Sequence, residues 1–217
     1  VNGFPMLEDQ GYILEQILKT TKESAADAVI IAGDIYDKPV PSAEAVDLFD
    51  DFLVGLTKLG VMVFLISGNH DSAERISYAG RLLRESQVYI SPRFEGTIHP
   101  IQVSDDYGIV NVYLIPYIHP SLVRNAWPEE KIGSYDDAMR VLLKKSGADP
   151  NARNLAVVHQ FVTAGGQKPE ETDSEEKHVG GLDNVDVSAF DAFDYVALGH
   201  LHGPQRIGRD TIRYAGS

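Results

Sequence analysis

The chain of 217 residues contains no cysteine, which excludes disulfides, thiolate metal sites and cysteine nucleophiles together. Positive charge is scarce as well: 19 lysines and arginines stand against 32 aspartates and glutamates, a formal net charge of −13. Such a balance argues against a general basic coat for nucleic acid. Attraction to a polyanion then has to come from a local patch, bound metal or a partner. Long apolar runs are also missing. The longest, Ala28 to Ala32 and Val61 to Ile66, are strand-sized and far short of the ~20 residues that a membrane span requires. No charged-then-apolar leader opens the chain, so the expected location is cytoplasmic, without membrane association. The first residue is Val1 rather than methionine, and upstream residues are expected to have been lost.

What is present fits a globular domain. Hydrophobic residues make up 43% and charged residues 24%, and the length suffices for one well-buried core, so residues 1–217 are read as a single domain. No internal repeat interrupts it. Leu7 to about Ser24 reads as a helix, and Asp27 to Ala32 as a strand. Val46, Phe49, Leu53 and Leu56 recur at helical steps, with Ser42 placed to cap that helix. Val61 to Ile66 reads as a second buried strand. Asp71, with Glu74 three residues on, marks a cap for a third helix running to about Arg84. Ile98 to Val103 and Ile109 to Ile115, split by Asp105-Asp106-Tyr107-Gly108, predict a hairpin. Ser134 with Asp137 forms a capping-box pattern ahead of a helix through Leu143. Leu155 to Val158 and Tyr195 to Leu198 are short buried strands, and Arg206–Ile207 with Ile212 to Tyr214 predict a terminal hairpin. The polar stretch from Thr163 to Gly181 is either a functional loop or partly disordered. Its acidic part, Pro169 to Glu176, reads as a solvated segment. Strands alternating with helices, followed by hairpins, predict a mixed α/β sandwich.

Four segments share one design, in which an apolar strand ends and a metal-ligand type of side chain follows at once. They are Gly33-Asp34, Gly68-Asn69-His70-Asp71, His159 after Leu155 to Val158, and Gly199-His200-Leu201-His202. Strand ends in open α/β sheets line the crevice where ligands bind. A glycine before Asp34, Asn69 and His200 suits sharp turns that aim those side chains inward. Carboxylate, amide oxygen and imidazole make a mixed oxygen/nitrogen donor set, suited to manganese, iron or zinc rather than calcium. Taken singly, each residue has a plainer reading. Asp34 and Asn69 serve equally as turn residues, a lone histidine is more often packing than ligand, and Asp71 favours the role of helix cap. Asp37 reads as a loop hydrogen-bonder, and His99, His119 and His178 lie outside the clusters. The conjunction of all four segments, in this order, is what carries weight.

That order of motifs resembles the calcineurin-like metallophosphoesterases, and within them the SbcD-type bacterial branch of the double-strand-break repair nucleases. The likeness extends to Val157-Val-His-Gln-Phe161, Val179-Gly-Gly-Leu-Asp183, Phe193 to His202 and Arg213-Tyr-Ala-Gly-Ser217. It implies two β-sheets flanked by helices and a pair of divalent ions, typically manganese. Asp34 matches the aspartate that bridges the two metals. Asn69, His159 and His200 match the other ligands of the second metal, and His202 matches a ligand of the first. His70 matches the histidine that assists the leaving group. Two departures stand out: the family's opening Asp-x-His is absent, and the chain stops at Ser217, where the family continues into a C-terminal capping region. Both are read as truncation. Asp37 stands where some relatives carry a histidine and is given no metal role.

The resemblance further implies phosphodiester hydrolysis of DNA, by exonuclease and endonuclease activity, in end processing and repair. Its expected partners are DNA, an SMC-like ATPase of the SbcC type, and a second copy of the chain in a homodimer; with DNA as substrate, Pro169 to Glu176 has a DNA-end contact as the alternative to a solvated segment. Two rival readings remain open at this point. One is a different enzyme on the same scaffold: a phosphoprotein phosphatase, cyclic-nucleotide phosphodiesterase or nucleotidase. The other is a non-catalytic scaffold that binds a partner and lacks the first metal site.

Overall fold

The computed structural model describes residues 6–91, 93–166, 169 and 183–216. Helix α1 (Leu7–Glu23) leads into strand β1 (Ala28–Ala32), helix α2 (Ala43–Leu59) and strand β2 (Met62–Ile66). Two single-turn helices, α3 (Ala73–Ile76) and α4 (Gly80–Leu83), precede β3 (Val88–Ser91), β4 (Ile101–Asp105) and β5 (Gly108–Ile115). Then come α5 (Pro120–Ala126), α6 (Tyr135–Ser146), β6 (Arg153–His159), β7 (Val162–Thr163), β8 (Val185–Asp186), β9 (Tyr195–Gly199), β10 (Gln205–Ile207) and β11 (Arg209–Tyr214).

The strands form a parallel three-stranded sheet, β1-β2-β3, and a mixed six-stranded sheet, β10-β11-β9-β6-β5-β4. In the larger sheet β5, β6, β9 and β11 run parallel, while the β4–β5 and β10–β11 pairs are antiparallel. The short β7 and β8 pair separately.

Alternation along each strand explains the layering. Val29 and Ile31 of β1, with Val63 of β2, pack against Phe52, Leu53 and Leu56 of α2 and against Leu14 and Leu18 of α1. The intervening residues, Ala28, Ile30, Ala32, Phe64 and Ile66, turn the other way and meet Val112, Leu114 and Val157 of the larger sheet. On that sheet's far face, Tyr113, Ile115, Ala156 and Val158 pack on Met139 and Leu142 of α6. The result is four layers, helices–sheet–sheet–helices, which is the expected mixed α/β sandwich.

Most expected elements are present, and the exceptions have physical causes. The third helix is not one helix and is not capped by Asp71. Ser72 is the cap, its hydroxyl accepting from the Arg75 amide at 3.4 Å. Ala79 then enters the left-handed region at φ +59° and splits the segment into α3 and α4. The first strand of the hairpin starts at Ile101 rather than Ile98, which is buried in the core ahead of the strand. Strand β3 and helix α5 carried too little periodicity to be read from sequence. His178, the acidic segment after Pro169 and most of the Val179 to Asp183 motif lie outside the described residues.

The capping box before α6 is complete. The Ser134 hydroxyl accepts from the Asp137 amide at 3.1 Å, and the Asp137 carboxylate accepts from the Ser134 amide at 3.1 Å and the Gly133 amide at 2.9 Å. Replacing Ser134 by alanine removes one of these partners. The expected cost is about 1 kcal/mol, read as a lower urea midpoint with an unchanged denaturant slope.

Candidate metal centre

The four motif segments converge where both sheets end. Strand β1 delivers Asp34, β2 delivers Asn69 and His70, β6 ends on His159, and β9 is followed directly by His200. His159 shares the face of β6 that carries Val157, so its ring points between the sheets, toward the end of β1. It is fully buried, and its Nδ1 lies 2.7 Å from the Ala32 carbonyl oxygen.

Two of the glycines are required for space rather than for turning. Neither Gly68 nor Gly199 lies in the left-handed region. A Cβ on Gly199 would sit 1.9 Å from the Ala32 carbonyl oxygen, and one on Gly68 would sit 2.1 Å from Asp34 Oδ1. Gly33 does turn, as expected, at φ +89°, and two of the ligand-type residues turn as well: Asp34 has φ +49° and His200 φ +105°. Strained non-glycine backbone of this kind costs on the order of 1–3 kcal/mol per residue and collects at functional sites.

The donor atoms lie close together. His159 Nε2 is 3.0 Å from Asn69 Oδ1 and 3.1 Å from Asp34 Oδ2, and His200 Nδ1 is 3.1 Å from the same Asn69 oxygen. Asp34, His159 and His200 each present a ligand atom within 4.8 Å of the others. A carbonyl oxygen only accepts, so His159 Nδ1 carries the proton donated to Ala32. With the ring neutral, as a metal ligand has to be, the Nε2 lone pair faces a carboxylate and an amide oxygen. Three acceptors aimed at one another repel unless a cation lies among them. Bonds of about 2.1 Å to a divalent ion, taken at right angles, place neighbouring donors about 3 Å apart. The residues therefore fit a divalent metal, and the Ala32 carbonyl is the kind of outer partner that fixes the tautomer of a ligating histidine.

Burial pushes the Asp34 carboxyl up, but without metal the hydrogen bond and charge of His159 in its protonated form, with the His70 amide at 3.0 Å, outweigh it and hold the group below its ordinary value. It stays an anion, as a metal ligand must.

The other expected residues stand around this cluster. His70 is half-buried, with Nδ1 3.2 Å from the Asp37 carbonyl oxygen, so Asp37 contributes backbone rather than carboxylate. His202 is half-buried in the loop beyond His200 and lies outside the group formed by Asp34, His159 and His200.

Two residues went unrecognised as parts of the site. Asp71 uses its carboxylate on loops rather than on a helix. Its Oδ2 accepts from the Gly68 amide at 2.9 Å and the Ile35 amide at 3.1 Å, and its Oδ1 accepts from the Tyr36 amide at 3.0 Å. One side chain thus ties the loop of Asp34 to the loop of Asn69 and His70. Tyr117, just past the end of β5, sets its ring edge-on to His159 with centroids 6.3 Å apart. Burial, the hydrogen bond to Tyr135 and the charges of Asp183 and Asp34 raise its phenol above the ordinary value. The strand-end rule that flagged the four motif segments also applies to Leu114-Ile-Pro-Tyr117.

Comparison with known proteins agrees with this geometry. The family model for the calcineurin-like phosphoesterases matches residues 7–204, and the chain belongs to that family, whose members use divalent metals to hydrolyse phosphate esters. The SbcD subunit of the nuclease SbcCD from Staphylococcus epidermidis (strain ATCC 12228 / FDA PCI 1200) is 35% identical over 221 residues, covering 100% of this chain and 57% of that protein. The chain therefore spans little more than half the length of that curated relative. Among solved structures, TT1561 of Thermus thermophilus superposes with a TM-score of 0.55 at 12% identity, covering 98% of this chain and 86% of the other. That overlap reflects a shared fold. The phosphopantetheinyl hydrolase of Mycobacterium tuberculosis gives a TM-score of 0.43 at 15% identity, over 90% and 81% of the two chains.

The Asp71 clamp makes a specific prediction. Asp71→Ala strands three backbone amides that are only partly accessible, at a cost of about 2–3 kcal/mol, and loosens both ligand loops. A lower melting temperature and a weaker Mn²⁺ affinity by titration calorimetry are expected together. Asp71→Asn, which keeps one acceptor oxygen, falls between the wild type and alanine on both measures.

Proposed function

We propose that this chain is the nuclease domain of a metal-dependent DNA phosphodiesterase, working in DNA end processing and repair with an SMC-like ATPase partner. The carrying observation is the convergence of Asp34, Asn69, His159 and His200 into one donor cluster at the sheet ends. Support for DNA as substrate, and for the partner, comes from the similarity to the SbcD component of the SbcCD nuclease. An acidic chain of net charge −13 suits a nuclease that relies on metal and a partner for contact with a polyanion.

In this reading Asp34, Asn69, His159 and His200 hold one divalent ion, preferably manganese. Asp34 would also serve a second ion, for which His202 would be a further ligand. The bound metals supply an activated water and stabilise charge developing on the phosphate. His159 is kept in the ligating tautomer by the Ala32 carbonyl, and Asn69 spans both histidines with one oxygen. His70, its Nδ1–H donating to the Asp37 carbonyl, would act as the imidazolium, giving its Nε2 proton to the departing oxygen and becoming neutral, a contribution worth ~10²–10⁴-fold.

Asn69 and His70 are neighbours with separable tasks. Asn69→Ala should lower bound manganese, because the oxygen shared by His159 and His200 disappears. His70→Ala should keep its manganese and its melting temperature while losing ~10²-fold or more in DNA cleavage, roughly 3 kcal/mol of barrier. Manganese content, melting and cleavage are measured on one preparation of each variant. Full metal, unchanged melting and near-normal cleavage in His70→Ala would remove that residue from the catalytic set. Faster turnover of aryl phosphate monoesters than of linear DNA, with manganese present, would replace the nuclease reading by a phosphatase one.

A second measurement concerns stoichiometry. The described residues of this chain supply one cluster of three charged or imidazole donors, so Mn²⁺ titrated into metal-free protein should fill one tight site. Two equally tight sites would show that the ligand assignment is wrong or that residues outside the described ones contribute.

A further inference from the structure

A row of three rings leads outward from the donor cluster, and the proposed metal chemistry uses none of them. Tyr117 stands edge-on to His159 at 6.3 Å between centroids; Tyr135 follows at 6.3 Å from Tyr117, and His119 at 5.6 Å from Tyr135. Their exposure rises along the row: Tyr117 and Tyr135 are half-buried and His119 is exposed. Tyr117 belongs to none of the three apolar clusters formed by the described residues, whereas Tyr135 rests partly against the largest of them, which anchors its ring.

Each ring is also held by a polar tie. The Tyr117 and Tyr135 hydroxyls lie 3.0 Å apart. His119 Nδ1 is 2.7 Å from Ser121 Oγ and accepts from the Ser121 amide at 3.3 Å. Rings fixed in this way lose little freedom when a flat ligand settles on them. The wall has two supports: Tyr117 and His119 lie on the segment between β5 and α5, whereas Tyr135 opens α6. Aromatic faces of this kind bind bases without sequence preference, because every base has a π-face.

We propose that Tyr117, Tyr135 and His119 form a nucleobase-stacking subsite, which receives the base adjoining a phosphate seated on the donor cluster. The proposal rests on the phosphodiester reading above and extends it from the phosphate to the base. Tyr135 and His119 meet at 82° and form a corner, in which the base stacks on the exposed His119 ring and sets its edge against Tyr135. Tyr117 positions Tyr135 through its hydroxyl and braces the ring of His159.

The test separates this subsite from catalysis by omitting the metal. Metal-free protein is titrated by fluorescence anisotropy against two single strands of equal length, one base-bearing and one abasic, whose uncharged methylphosphonate links escape repulsion by the acidic pocket. The wild type should prefer the base-bearing strand about tenfold, the factor given by ~1.4 kcal/mol of stacking. Tyr135→Ala and His119→Ala should each bring that ratio close to one. Tyr135→Phe and His119→Phe, which restore a ring, should restore the preference and exclude a folding defect as the cause of its loss. Equal affinity for the two strands in the wild type, failure to bind either included, overturns the subsite. So does a preference that survives both alanine variants. Since no turnover is involved, an inactive protein that still prefers bases would sink only the phosphodiesterase reading.

Discussion

The site depends on one contact between the two sheets: the hydrogen bond from His159 Nδ1 to the Ala32 carbonyl, 2.7 Å long. It joins the last residue of β6 to the last residue of β1, strands that belong to different sheets and are 127 positions apart in sequence. A fully buried imidazole has to satisfy both nitrogens. With Nδ1 spent on Ala32, Nε2 turns toward Asp34 and Asn69. The bond that brings the sheet ends together is thereby the bond that selects the ligating tautomer. Packing and chemistry are set by the same atom.

The neighbouring backbone answers to that closeness. Because the Ala32 carbonyl leans toward β9, position 199 has no room for a side chain, and β9 must end on glycine. Because Asp34 leans over the β2 loop, position 68 has no room either. The strain falls on Asp34 and His200, held at positive φ. Asp71 offsets part of it by accepting three amides from the two loops. Behind His159, the Tyr214 phenol of β11 accepts from the Val162 amide at 2.7 Å and donates to the Gln160 carbonyl at 2.8 Å. Gln160 in turn donates to the Ile118 carbonyl at 2.9 Å. The chain beyond the histidine is therefore fixed on both sides, and the ring cannot swing out without breaking buried bonds.

Much of this was legible in the order of residues. Buried strands announce themselves by short apolar runs, and Ser42 and Ser134 announced their helices by cap chemistry. Asp34, Asn69, His159 and His200 were legible because each follows a strand directly, and ends of strands share one rim of a sandwich. Asp71 was misread for an equally local reason: a carboxylate three residues before a glutamate looks like a cap. Its real partners, Ile35 and Tyr36, are 36 and 35 residues away. Helix α5 and strand β3 are short, and their burial comes from neighbours distant in sequence. Where a residue's task is set by such contacts, no local pattern encodes it.

The spacing of charge gives the last step. The chain carries a strong negative excess, and the donor cluster adds a carboxylate held ionised at its centre. Without metal, this pocket repels phosphate. A divalent ion reverses the local sign within a few ångströms, where protein charges are least screened, and leaves the distant surface negative. Affinity for a phosphate ester is then concentrated at the point of chemistry instead of spread over a basic face. Recognition beyond the phosphate has to rest on contacts that do not depend on charge. Aromatic rings beside the ligands meet that requirement, and lysines in the same place would not: they would compete with the metal for Asp34.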